Sequence, residues 1–212
     1  MAAGIHEPES SSPSKHRRPA PRGELRREAL LEAALSVFSQ VGYAHASMKD
    51  IAKLAGVTAA GLLYHFPNKT ALLNAVLDRK ESEADQYFDQ LNARTSLSGF
   101  IKSIRVIFRR SIETQMISQA FMMLNVESLG QLHPAHDRFQ TWFKNVHSAI
   151  ASYLESLIEE GEIRSTQTSV VAREICAVMD GTQLQWLRRP DDMDPVAQFD
   201  DYLSRLKVTL SP

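Results

Sequence analysis

Three places in this 212-residue chain combine residue types with a spacing that can do chemistry. The first is the run SMKDIAKLAGVTAAGLLYHF at 47–66, with Lys49 and Lys53 inside it and Lys69 just beyond. Lysines so placed can neutralise phosphates, which supply most sequence-independent affinity for nucleic acid. Arg17, Arg18 and Arg22 upstream can reach a flanking minor groove or phosphates, or simply form part of a solvated tail. The second place is His133, His136 and Asp137, all metal-ligand types. Residues three apart beside Pro134 are equally explained by helix capping and exposure, and no further Cys or His lies near them. The third is Cys176, set within an apolar helical face that suits an inert thiol better than a nucleophile. No Gly-rich phosphate loop and no G-x-S-x-G elbow occurs. No catalytic residue, metal site or cofactor is assigned, and an enzyme is not expected.

The first group needs a scaffold that can hold it against a groove. Ile51, Ala52, Leu54, Ala55, Val57, Leu62 and Phe66 are spaced to pack two short helices across a turn at Gly56. That is helix-turn-helix geometry, in which the second helix enters the major groove. Ser47 followed by Asp50 is a capping box opening a helix over about 48–55. Thr58 can cap the next helix, which runs to about Phe66 and is broken by Pro67-Asn68. From these residues alone the pair is either a DNA reader or an ordinary αα-hairpin. Upstream, Leu31, Leu35, Phe38 and Val41 line one face of a helix over about 23–41 that Gly42 stops. Downstream, Asn68 can cap a helix over about 69–91 with Leu72, Leu73, Val76 and Leu77 inward. That helix is roughly 33 Å long, enough to bridge two modules.

Charge and proline organise the rest. The formal net charge is −1, yet residues 13–69 hold nine Lys or Arg against four Asp or Glu. A near-neutral total hides a basic N-terminal third and an acidic remainder, which can mark a nucleic-acid-facing end. Pro8, Pro13, Pro19 and Pro21 fall among serines, and 1–22 reads as a flexible basic arm. Proline-free stretches at 22–66, 68–133 and 135–189 carry apolar residues three and four apart and no period-two run. The prediction is an all-α chain of about nine helices. A 43% hydrophobic composition excludes wholesale disorder, and a single cysteine excludes a disulfide framework. The longest stretch lacking Asp, Glu, Lys, Arg and His, 114–126, is too short to span a bilayer, and residues 1–20 lack a signal-peptide core. A soluble, cytoplasmic protein with no membrane partner is expected.

The stretch ASMKDIAKLAGVTAAGLLYHFPNKTALL, with Val41-Gly42-Tyr43 before it, resembles the N-terminal domain of the TetR family of bacterial transcriptional regulators over about residues 24–77. The resemblance implies a helix-turn-helix domain at 23–68 and a helical ligand-binding and dimerisation domain at 69–212, joined by the helix at 69–91. It implies a homodimer on a palindromic operator of double-stranded DNA, usually a repressor, released by a small-molecule effector. Carried over residue by residue, Ser47 and Lys49 meet phosphate or base edges. Thr58, Ala59, Gly61, Leu63, Tyr64 and His65 line the groove-facing side of the recognition helix, and Lys69 grips a phosphate. For Tyr64 and His65 the alternative is an interior polar pair. Ala59-Ala60-Gly61 stand where many relatives carry longer polar side chains, and Leu63 where an aromatic is frequent. Readout is therefore expected to lean on methyl contacts, phosphate geometry and DNA shape. Gly61 costs about 0.5–1 kcal/mol in a helix, which suggests close approach to DNA or to the preceding helix.

Beyond Gly99 the apolar pattern continues through Phe100, Ile104 and Phe108, then a segment over about 114–129, then a helix starting near Pro134. Residues 170–190 read as an amphipathic helix stopped by Pro190, and Asp194-Pro195 caps a last one. The resemblance implies a cavity among these helices, and its expected lining is Phe108, Phe121, Trp142, Phe143, His147 and Cys176. It also implies a four-helix dimer interface, expected to use Ile175, Gly181, Trp186, Phe199, Tyr202 and Leu206. A ligand among the central helices would pivot the fourth helix and alter the spacing of the two recognition helices. The competing reading is a helical ligand-binding or scaffold protein that retains a helix-turn-helix without DNA function.

Overall fold

A computed structural model describes the backbone of residues 22–92 and 96–212, and side chains over 23–82 and 96–212. The expected arm, with Arg17 and Arg18, lies outside the described residues. Nine helices and no strand occur among those described: α1 (Arg22–His45), α2 (Met48–Leu54), α3 (Ala59–His65), α4 (Lys69–Asn92), α5 (Leu97–Glu113), α6 (Gln115–Glu127), α7 (His136–Glu159), α8 (Thr168–Arg188) and α9 (Pro195–Leu210). The all-α expectation is met, and no described helix is long and apolar enough to cross a membrane.

Local chemistry explains most boundaries. Regular helix in α1 ends at Gly42, where φ 71 and ψ 179 fall in a region essentially restricted to glycine. Val41 was expected to face inward but is 43% exposed; it lies roughly 90° around the helix from the Leu31–Leu35–Phe38 stripe. Ser47 Oγ accepts from Asp50 N at 3.1 Å and donates to its Oδ2 at 2.6 Å, opening α2. Thr58 Oγ1 accepts from Gly61 N at 3.0 Å, opening α3. Asp194 accepts from Val196 N and Ala197 N, opening α9 with Pro195 in its first turn. The expected start of α7 at Pro134 needs correction: the helix begins at His136. His136 N donates to His133 O at 3.0 Å, which makes Pro134 the second residue of a β-turn, a position its fixed φ suits equally well.

Two buried clusters form. One combines α1–α4 (Leu30, Leu31, Phe38, Ile51, Leu62, Leu72, Leu73) with Ala120 and Leu124 of α6 and Phe139 of α7. The other joins α5, α7, α8 and α9 around Phe100, Phe108, Leu154, Ile175 and Phe199. The N-terminal unit is therefore sealed by α6 and α7 as well as continued by α4. Arg138 of α7 ties the same joint: Nε and Nη2 each reach Glu81 at 2.7 Å, and Nη2 also reaches Asp78 at 2.7 Å. Arg79 of α4 pairs with Glu28 and Glu32 of α1 at 3.2 and 2.7 Å.

Candidate nucleic-acid interface and central cavity

α3 buries one of its seven residues, Leu62. Ala59 and Ala60 are exposed, Leu63 is 48% exposed and Tyr64 86%. His65 is half-buried with its ring edge-on to Tyr64 at 5.3 Å. The interior-pair reading of Tyr64 and His65 is therefore wrong for Tyr64. Lys49 and Lys53 of α2 are exposed, as is Leu54, which sequence reasoning had packed inward. Several acids nearby are occupied: Glu28 and Glu32 by Arg79, Asp50 by Ser47. The result is an outward face of methyls, one phenol and lysines without an ion pair among the described residues, compatible with thymine methyls and phosphates.

Gly61 departs from expectation. A Cβ there would lie 3.3 Å from Thr58 Oγ1 and 3.8 Å from Val57 Cβ, and no atom of α2 comes within 4 Å. The crowding is with the cap of its own helix, so close approach to α2 is not the reason for the glycine. Lys69 also departs. Its Nζ donates to Tyr43 O at 2.7 Å, Ala44 O at 3.3 Å and Ala46 O at 2.9 Å, and sits 4.4 Å from the Tyr43 ring centroid. An ammonium has three protons, and here all three serve the turn that leads into α2. Lys69 positions the helix-turn-helix rather than offering a free hand to phosphate.

That turn is held from the other side by α6, which sequence reasoning missed. Glu127 accepts from Tyr43 N at 2.6 Å and Ala44 N at 3.4 Å, and Gln119 Nε2 donates to Ser39 O at 3.0 Å. The Glu127 carboxylate occupies the space a side chain at Gly42 would need: a Cβ there would overlap Oε1 and lie 2.7 Å from Cδ. The Tyr43 ring also meets His133 edge-on at 5.0 Å. Burial lowers the His133 pKa, partly opposed by Glu127 and reinforced by His136 and Lys69. The metal reading of His133, His136 and Asp137 is contradicted by donor placement. His133 Nδ1 accepts from Ala135 N at 3.2 Å, and His136 Nδ1 lies 2.7 Å from Ser128 O with its Nε2 3.0 Å from Gln140. No group of three or more such ligands converges among the described residues.

Between α4, α5, α6, α7 and α8 lies a cavity of about 240 Å3. Phe121, Trp142, Phe143 and Cys176 line it as expected, with Phe121–Trp142 and Trp142–Phe143 centroids 5.1 and 4.9 Å apart. Two of the six expected residues do not. Phe108 is fully buried against Phe199 at 4.2 Å in the second core. His147 belongs to an outer cleft with Lys144 and Arg173, because it is turned about 40° past Phe143 on the side away from Trp142, Val146 and Ile150, which line the cavity. Desolvation lowers its pKa, as does Arg173. The polar lining was unforeseen: Gln183 donates to Ser111, Ser118 Oγ donates to Ser111 O at 2.6 Å, and Asp180 and Asn125 face the space. Burial pushes the Asp180 carboxyl from 3.8 up to about 6. Burial, with Asp180 nearby, pushes the Cys176 thiol up to about 12, so it stays protonated and unreactive.

The expected interface residues divide similarly. Ile175, Phe199 and Leu206 belong to the subunit's own core, and Trp186 is buried. Tyr202 and Gly181 are half-buried, and a Cβ at Gly181 would meet nothing within 4 Å. α8 and α9 expose charged residues such as Arg173, Glu174, Asp201 and Arg205, and also uncharged ones at seven- or four-residue spacing: Val170, Ala177 and Leu184 on one, Ala197, Ser204 and Val208 on the other. The strongest apolar positions marked the inside of the subunit, since large apolar side chains are the first to be buried.

Residues 30–76 match the family model of bacterial regulatory proteins, tetR family. The chain is 26% identical over 188 residues to the HTH-type transcriptional regulator TtgR of Pseudomonas putida, covering 84% of this chain and 88% of that protein. It is 50% identical over 52 residues to the HTH-type transcriptional regulator RutR of Escherichia coli, 24% of each chain. Its fold is similar to that of NalD, the secondary repressor of the MexAB-OprM multidrug efflux pump in Pseudomonas aeruginosa. The TM-score is 0.70 at 21% identity, covering 89% of this chain and 96% of that one.

Proposed function

We infer that this chain, a helix-turn-helix transcriptional regulator belonging to the TetR family of bacterial regulatory proteins, is a cytoplasmic homodimeric repressor that a small molecule releases from a palindromic operator. The observation that carries the DNA reading is the outward face of α3: Tyr64 at 86% and Leu63 at 48% exposure on a helix anchored by Leu62 alone. Folding gains nothing from leaving those side chains in water, whereas a major groove offers them thymine methyls and phosphate oxygens. Thr58, with its hydroxyl proton still available, Ala59, Gly61 and His65 complete the reading face. Lys49 meets the DNA backbone; Ser47, whose hydroxyl proton goes to Asp50, acts by opening α2, and Lys69 by fixing the turn.

Dimerisation uses the exposed uncharged positions of α8 and α9, with Gly181 allowing close helix approach. The two recognition helices must then lie about 34–36 Å apart, or at a compatible longer spacing. The effector occupies the central cavity among Phe121, Trp142 and Phe143. α6 contributes to that cavity and also grips α1 through Gln119 and Glu127, so a ligand that shifts α6 moves the turn before α2. The signal thus travels through α6 as well as through α4, and its reach is set by the ligand's differential affinity for the two states.

Selection of bound DNA from a random library, with sedimentation of the complex, tests this reading. Enrichment of a two-fold symmetric site bound by a dimer is expected, with at least about tenfold weaker binding by Tyr64→Ala. Failure of the wild-type protein to enrich any sequence overturns it in favour of a scaffold role.

A further inference from the structure

The charged groups around the central cavity are unequally satisfied. Arg79 is held by Glu28 and Glu32, and Arg110 lies 3.7 Å from Glu113. Lys80 is likewise engaged. Asp180 has no hydrogen bond or ion pair among the described residues, although it sits in the cavity wall beside Cys176 and Met179. A carboxylate taken from water into an apolar space without a partner costs several kcal/mol, and the usual remedy is a counter-ion. Among the described residues none is paired with Asp180. The aromatic part of the wall also suits a positive charge: Phe121, Trp142 and Phe143 present rings, which attract cations electrostatically, while Arg79, Lys80 and Arg110 stand across the cavity.

We propose that the cavity selects small aromatic cations, with Asp180 pairing with their positive charge and the Phe121–Trp142–Phe143 wall holding the ring and the onium methyls or ammonium. This rests on the cavity being the effector site. A volume of about 240 Å3 limits the ligand to one or two rings with a short basic arm. In the empty site the Asp180 carboxylate lacks a charge partner among the described residues, and a neutral ligand of equal shape leaves it so. A cation gains both the ion pair and the contact with the rings.

The raised Asp180 pKa of about 6 adds a pH signature. The groups facing Asp180 across the cavity are Arg79 and Lys80 from α4, Arg110 from α5 and Cys176 from its own helix; α6 and α7 present no ionisable side chain there. Cation binding is therefore full at about pH 7 and above, and fades as the pH falls through about 6 and the carboxyl takes up its proton.

The test uses the full-length protein, calorimetry and two shape-matched probes: benzyltrimethylammonium and its uncharged carbon analogue, neopentylbenzene. Wild type should bind the cation at least about tenfold more tightly than the analogue. Asp180→Asn should erase that preference while retaining the analogue's affinity, and Asp180→Glu should keep it. Equal binding of both probes by wild type, no binding by either, a preference surviving in Asp180→Asn, or tighter binding of phenylacetate overturns the proposal. A parallel operator-release assay separates the two readings. Asp180-dependent cation binding without release leaves the cation site standing and removes the effector role. Release by the neutral analogue, with no charge preference, keeps the effector role and removes the cation site.

Discussion

Gly42→Ala probes the joint between the cavity-bearing helices and the DNA reader, and its energetics can be worked out from geometry. At φ 71 and ψ 179 a residue with a Cβ carries roughly 1–3 kcal/mol of backbone strain. The same Cβ also overlaps the Glu127 carboxylate, which must swing away and abandon Tyr43 N and Ala44 N. Those charge-assisted bonds, at 2.6 and 3.4 Å in a partly exposed setting, together contribute about 2 kcal/mol. Gly42→Ala should then cost about 3–5 kcal/mol and Glu127→Ala about 2. The double variant should cost no more than Gly42→Ala alone, because the carboxylate has already been lost. Urea unfolding followed by helical circular dichroism, at one fixed protein concentration, gives all four corners of the cycle. A coupling of about 2 kcal/mol is expected. Additivity within about 0.5 kcal/mol would mean the glycine and the carboxylate do not share this site, and the α6 route of signalling would lose its basis.

Three further predictions follow from individual side chains. Asp180→Asn should stabilise the ligand-free protein. Because the folded pKa of about 6 lies above the unfolded 3.8, the penalty is absent below about pH 4, grows through pH 6 and is full at pH 7. A shift of about two pKa units sets an upper end near 3 kcal/mol, and an advantage independent of pH from 4 to 7.5 in urea melts would refute it. Lys69→Met should lose about 1–2 kcal/mol of stability by leaving three carbonyls without their donor; unchanged stability with a reduced salt slope of DNA binding would return Lys69 to a phosphate role. Gly181→Leu meets open space within the subunit, so helix content should hold while sedimentation shows weaker dimerisation, and an unaffected dimer would move the interface elsewhere.

The helix-turn-helix was legible in the sequence because its determinants are local. Ser47 and Asp50, Thr58 and Gly61, and Asp194 with Val196 and Ala197 make their bonds within three residues, so spacing alone reports them. Gly42 was readable as a helix stop for the same reason. The stripe Leu31, Leu35, Phe38 and the inward Leu72, Leu73, Val76 and Leu77 followed from period alone.

Periodicity could say that Phe108, Ile175 and Phe199 are buried, but not against what, and two of those fill the subunit core where partner contacts were expected. It could not place His147 outside the cavity or Asp180 inside it, since both lie on amphipathic faces and differ only in which helix packs across them. Nor could it pair Glu127 with a turn 83 to 84 residues away, or turn Lys69 from phosphate toward three carbonyls. Sequence by itself determined the helices and the caps at Ser47, Thr58 and Asp194, because those depend on neighbours within one helical turn. Tertiary structure alone decided which charges are satisfied and which is left facing the cavity, because solvation of a charge depends on atoms brought together from across the chain.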